Sequence, residues 1–359
     1  MWYNRKDIIE KNRKKQRRAD LRHPLLHGAF PMKKRQFAAA ISSALCAALL
    51  LSSCSSGSAT SFSSNWYSDT TLNTAIAGTT ETLVYRVGLE PDSGANSAYS
   101  VMYSDGTYTA TLTVESVNGE NLYCYRTSLE ISNQYYFGDE VSDVKADKVT
   151  SEVYFRSTQA GLRPVSSFKE VVSRSPALLT PESLNSCYID YHFSVQIEYE
   201  PDGSAGKSTY TDLTAEEPSP RTSDFSIETG GNSYIDNEEI LFALRGVTYD
   251  SAKSFQVYNA SVDRVQTVRA TPSESDSDSF DFSIGGEEGA HSITYYPVSI
   301  GIAEEQSGGT QTAWYAGTTD TRRNTYRNVM LRLETPLAYS LGTLVYELQS
   351  ADFTDTSIS

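Results

Sequence analysis

The chain of 359 residues is short of the side chains that carry most enzyme chemistry: it has 4 histidines, 4 cysteines and 3 tryptophans. It has no G-x-S-x-G elbow, no S-x-x-K beside the other β-lactamase signatures and no C-G-S-C run, so the recognisable serine and cysteine nucleophile classes are excluded. The common zinc signatures H-E-x-x-H and C-x-x-C are missing too. The glycine pairs at 230–231, 285–286 and 308–309 lack a following Lys-Ser/Thr, which removes a phosphate-cradling loop. The uncharged run Phe37 to Leu51, "FAAAISSALCAALLL", falls short of the roughly 20 apolar residues that span a bilayer.

Cations are also scarce where it matters. Residues 1–53 hold 12 of the 30 Lys and Arg and 3 of the 45 Asp and Glu. The remainder carries 18 cations against 42 anions, a formal charge of −24. Nucleic-acid binding depends on cations neutralising phosphates, so no nucleic-acid partner is expected. The acidity favours solubility and identifies no partner.

What is present at the N-terminus is an address. Lys33, Lys34 and Arg35 precede the apolar run, and a small-residue exit follows it, the three parts of a secretory signal. The exit, Leu51-Ser52-Ser53-Cys54, resembles the lipobox of bacterial lipoproteins. That resemblance implies cleavage before Cys54 and a diacylglycerol thioether on its thiol. Two chains hold a protein stably where one is marginal. The expected localisation is therefore extracytoplasmic, anchored to the bacterial cell membrane as part of the envelope. The expected domain plan is a misassigned extension over 1–31, with translation starting at Met32. A signal over 32–53 and a Ser/Thr-rich tether over 54–74 follow. One β domain over 75–352 completes the plan, with possible halves at 75–218 and 222–352.

Beyond the tether the chain reads as β. In "GTYTATLTVESV", Tyr108, Ala110, Leu112 and Val114 alternate with threonines, the period of a half-buried strand. About fourteen such runs are separated by turn material, and "SDG" at 104–106 and "NGE" at 118–120 read as hairpin turns. The one convincing helix is "YIDNEEILFALRGVT". Asp236 and Glu239 form a capping box, Ile240, Leu241 and Leu244 form an apolar stripe, and Gly246 is placed to end the helix in the left-handed region. "EEPSPRTSD" (216–224) reads as an internal break and "TPSESDSDSFD" (271–281) as a disordered insertion. The expected fold is all-β, a mostly antiparallel long curved sheet or open half-barrel with one short helix packed on it.

Cys124 and Cys187 lie in separate strand-like runs and either pair as a disulfide, which export permits, or remain two buried thiols. Asp190 and His192 lie two apart on one strand face, and Glu274, Asp276, Asp278 and Asp281 form an acidic run. Both fit solvated surface better than metal ligation, so no metal and no cofactor are expected. The 24 tyrosines, one of them before Cys54, suit half-buried strand faces whose hydroxyls stay wet, or an aromatic groove.

Longer segments carry a second resemblance. Leu162-Arg163-Pro164, then Asp236, Leu241, Leu244 and Arg245, then Trp314 and Asp320, and finally Gly342 to Leu348 follow the plan of an uncharacterised family of exported bacterial proteins, a domain of unknown function. The resemblance spans about Gly78 to Ser350. It implies an open β half-barrel with a helix near its concave side, similar in shape to periplasmic lipoprotein carriers, and it supplies no catalytic residues. The sequence thus points to a non-enzymatic protein binding a hydrophobic or cell-envelope ligand (lipid, glycan or envelope protein) on a concave sheet face. Tyr191, Phe193, Tyr258, Tyr295, Tyr296 and Trp314 are the candidates to line it. The alternatives are a structural or adhesive surface module without a ligand, and a secreted hydrolase with a dispersed site.

Overall fold

A computed structural model of the chain describes residues 80–92, 98–158, 161–227, 233–303, 310–317 and 326–353. The signal, Cys54, the tether and Asp320 lie outside the described residues. Alternating burial along the strands matches the alternation in the sequence. Tyr108, Ala110, Leu112 and Val114 are all buried, and the threonines between them are not.

The first half of the chain is a meander. β1 (Thr80–Glu90), β2 (Ser100–Val117), β3 (Glu120–Phe137), β5 (Lys145–Thr158), β6 (Gly161–Pro176), β7 (Tyr188–Tyr199), β8 (Ala205–Asp212) and β9 (Pro220–Ser226) pair in that order, all antiparallel, and β4 (Glu140–Val141) is a short addition to β3. The chain then crosses to the far edge through β10 (Ser233–Tyr234) and the helix. It returns through β11 (Lys253–Asn259), β12 (Arg264–Pro272), β13 (Asp276–Ile284), β14 (Glu287–Ile302), β15 (Gln311–Ala316), β16 (Met330–Pro336) and β17 (Thr343–Phe353). β17 pairs with β1, which makes one sheet of both halves. β13 also lies parallel to β17 through Ser283–Ser350 and Ile284–Ala351, closing β13 to β17 into a ring. Among the described residues the architecture is a sheet with a closed barrel core plus extra strands, and one short helix packed on it.

Local sequence explains most of these elements and corrects some expectations. Asn118 (φ 52°) and Gly119 (φ 84°) make the expected tight turn between β2 and β3. The Asp-Gly at 105–106 does not turn the chain. Asp105 adopts φ 54° inside the unbroken β2, where the pairing with β3 shifts register between Ser104 and Thr107. This is a bulge, which an Asp-Gly pair supports as readily as a hairpin. Gly106 is required there, because a Cβ would lie against the Val87 carbonyl and 2.7 Å from Ile131 Cδ1. The acidic run around 276–281 is a strand, paired with β14 along its length. The break at 216–224 likewise contains the start of β9.

The helix is shorter and deeper than expected. A four-residue α1 (Ile240–Ala243) is flanked by 3-10 turns at Asn237–Glu239 and Leu244–Gly246. The capping box forms: Asp236 accepts from the Glu238 amide at 2.8 Å, and Glu239 Oε2 accepts from the Asp236 amide at 3.3 Å. Gly246 does not take positive φ; the helix ends as Val247 turns extended. Every residue from Glu239 to Val247 is buried. Phe242 meets the rings of Tyr125 and Phe155 at 5.1 and 5.5 Å, and the Tyr315 hydroxyl donates to the Leu241 carbonyl at 3.0 Å. Arg245 forms a buried ion pair with Glu81 of β1 and donates to the Arg327 carbonyl. The helix therefore plugs the concave side between β3, β5 and β15.

Candidate functional site

The concavity that remains lies beside the plug. On the plugged face of β6 and β7, Ser167, Lys169 and Val171 stand opposite Ile197, Val195 and Phe193. The start of the helix and the end of β11 face them. Between these elements is a narrow cleft, lined on its apolar side by Phe193, Val195, Ile197 and Tyr258. Its polar side includes Lys169, Glu238, Asn259 and Ser261. Lys169 Nζ and Glu238 Oε1 form a largely buried ion pair at 2.9 Å.

Behind the cleft is a tightly bonded carboxylate. Asp236 is fully buried and its Oδ2 accepts from the hydroxyls of Ser167 (2.6 Å) and Tyr199 (2.7 Å). Burial raises its pKa, the Ser167 hydrogen bond opposes that, and the charge of Glu238 adds to it. Glu239 is raised well above the usual carboxylate range, first by burial and then by Asp236. These groups hold the helix start rigidly against β6 and β7, so the cleft has one fixed wall.

The structure divides the six ligand-face candidates. Phe193 and Tyr258 line the cleft, and Tyr191 packs with them in one apolar cluster. Tyr295 and Trp314 stack on each other at 5.2 Å, and Arg332 lies 5.0 Å over the Trp314 ring. Tyr296 stacks on Tyr249 at 4.8 Å, beside the helix plug. Tyr295 and Tyr296 are strand neighbours and point to opposite faces, so the six do not form one surface. Among the cleft residues the sequence did not signal are the charged pair Lys169 and Glu238. Only the fold brings the charges of β6 and the helix start together, and no local pattern announces that pair.

Other sequence candidates have structural partners. Cys124 and Cys187 are both buried free thiols, so the disulfide weighed from the sequence is not formed. Cys124 sits in β3 opposite Thr113 and Tyr154, whereas Cys187 ends the 3-10 turn at Leu184–Ser186. Burial pushes the Cys124 thiol to about 12 and the Cys187 thiol to about 11, which keeps both protonated and unreactive. Asp190 is held by Arg174 at 2.9 Å and Lys145 at 3.0 Å, and His192 Nε2 lies 2.8 Å from Glu170. Among the described residues, no cluster of His, Cys, Asp or Glu is arranged to hold a metal.

The fold and cleft define an all-β, barrel-cored protein with a plugged interior and a cleft at the open side of its sheet. No protein-family model and no curated protein matches the chain. Among solved structures it is similar to a beta-barrel-like protein of a domain of unknown function, DUF1849, from Brucella abortus. The identity is 12% and the TM-score 0.42, over 78% of this chain and 100% of that one.

Proposed function

We propose that the protein is a lipid-anchored, extracytoplasmic, non-enzymatic protein that binds a hydrophobic or cell-envelope ligand in the cleft between β6–β7, the helix start and β11. The observation that carries this reading is the mixed lining of that cleft. An aromatic and aliphatic wall faces an ion pair and two amide or hydroxyl side chains, the composition typical of small-ligand sites. Because the helix fills much of the concave face, the proposed ligand is assigned to this remaining part of it. The anchor rests on the sequence, where Cys54 follows a complete export signal. Burial of both described thiols supports a non-enzymatic role.

The anchor is tested by labelling cells with a radioactive fatty acid. The wild type should take up label and fractionate with membranes, and Cys54→Ala should do neither. A wild type that takes up no label contradicts the anchor. Extraction of the purified protein, followed by mass spectrometry, tests the ligand.

A second reading has its own support. The plug fills much of the concave face with Phe242, Tyr125, Phe155 and Tyr315, as a structural or adhesive surface module with no ligand would require. That reading predicts an empty extract and a cleft insensitive to substitution.

A further inference from the structure

The β8–β9 hairpin is the outer wall of the cleft region, and its attachment is unusual. β9 pairs with β8, and among the described residues no strand pairing joins it to β11 or β12. Side chains close this seam instead. The Phe225 ring stacks on Tyr258 at 3.9 Å and 7°. Ser223 Oγ donates across the seam to Asp263 Oδ2 at 3.0 Å, and on the far side the Tyr258 hydroxyl holds Asp263 in place by donating to its Oδ1 at 2.6 Å. Asp263 occupies the turn after β11 with φ 55°. Five of the seven β9 residues are exposed.

Behind the hairpin is an apolar cluster separate from the main core, built on Val171, Phe193, Val195, Ile197 and Tyr258. The hairpin supplies its remaining wall. Tyr210 of β8 stacks on Phe193 at 5.3 Å, and Phe225 of β9 meets Tyr199 edge-on at 5.7 Å. Gly206 makes room for this, since a Cβ there would lie 2.7 Å from the Phe225 ring. A few ring contacts and hydrogen bonds, each modest, thus separate a closed seam from an open one. Opening this seam would leave the β7–β8 ladder intact, which is far less than global unfolding requires.

Resting on the function proposed above, we propose that the β8–β9 hairpin is a lateral gate that parts from the β11–β12 turn to admit one apolar chain of an amphiphile. The rings decide the ligand class. Phe193 and Tyr258 already lie face to face with Tyr210 and Phe225, so the closed cleft offers a sugar no free ring face. Parting the Phe225–Tyr258 stack instead leaves a slot walled by Phe225 of the hairpin and Tyr258 of β11, with Phe193 and Tyr210 still side by side on the paired β7 and β8. Lys169, Glu238, Asn259 and Ser261 then face the polar end of the chain. The source of the chain is a free fatty acid or a membrane phospholipid.

The test uses the full chain in lipid nanodiscs, carrying Ser223→Cys and Asp263→Cys, with and without a short bismaleimide across the seam. Cys124 and Cys187 have no exposed surface and do not compete for the reagent. Hydrogen exchange should be at least tenfold faster in residues 205–226 than in 100–137, and the cross-link should slow it at least tenfold. A diazirine-bearing palmitic acid and a diazirine-bearing phosphatidylethanolamine are the probes. Label should fall in residues 191–199 and 255–261 and drop at least tenfold on cross-linking. Label from the phospholipid identifies the membrane as the source, and label from palmitic acid identifies the free acid. A hairpin that exchanges as slowly as β2–β3, or label undiminished by the cross-link, overturns the gate alone. No label from either probe overturns the apolar ligand, and with it the binding reading, whatever the hairpin's exchange.

Discussion

Two buried ionisable sites set measurable properties of this protein. Glu81 and Arg245 pair on the plugged concave side of the sheet at 5% and 3% exposure. Removing one partner strands the other charge, so Glu81→Gln is expected to cost about 3–5 kcal/mol in urea unfolding. Replacing both with leucine and methionine should bring stability back to within about 1–2 kcal/mol of wild type. Asp147 is the second case. Burial lifts its pKa to about 7, against the Arg174 amide that donates to it at 2.6 Å. The folded state therefore retains a proton that the unfolded chain gives up near pH 4. The stability this provides is complete below about pH 4 and is lost as pH rises to about 7, a change of up to about 4 kcal/mol. Asp147→Asn should flatten that part of the stability–pH curve, and an unchanged slope would contradict the assignment.

At the scale of elements, the helix and the bulge are the features whose removal should be felt most. Phe242 is wedged between Tyr125 and Phe155, so Phe242→Ala is expected to destabilise by about 3–5 kcal/mol, read as a lower urea midpoint. Gly106→Ala forces a Cβ against Val87 and Ile131, and about 1–3 kcal/mol is expected for such overpacking. These elements also show what a sequence reveals. The alternation of 107–114, the Asn118–Gly119 turn and the Asp236–Glu239 capping box are local signals, and each appears in the structure as read. The bulge at 105–106 was hidden because Asp-Gly supports two outcomes, and the choice is made by pairing with β3. β13 was hidden because its Asp276, Asp278 and Asp281 mimic a solvated loop. Its strand conformation comes from β14, a partner supplied by tertiary structure. The helix was legible in position but not in depth, since Arg245 finds Glu81 from 164 residues away.

For the whole molecule, the first and last described strands, β1 and β17, pair in the middle of one sheet, whose two edges meet at the seam beside the cleft. That arrangement explains why half of the candidate face was legible. Aromatic residues at strand positions announced Phe193 and Tyr258, and Tyr191 beside them. Parity and closure sent Tyr295, Tyr296 and Trp314 elsewhere. Lys169 and Glu238, on elements distant in sequence, had no shared signal. Ala260 also lines the cleft and is only partly buried, so enlarging it fills the site with little disturbance of the core. The most direct measurement is native mass spectrometry of the purified lipidated protein beside its Ala260→Trp variant. The account predicts a small molecule of discrete mass bound near one to one in the wild type and lost from the variant. A wild type carrying no mass beyond its own anchor, or an identical adduct on both proteins, would contradict it.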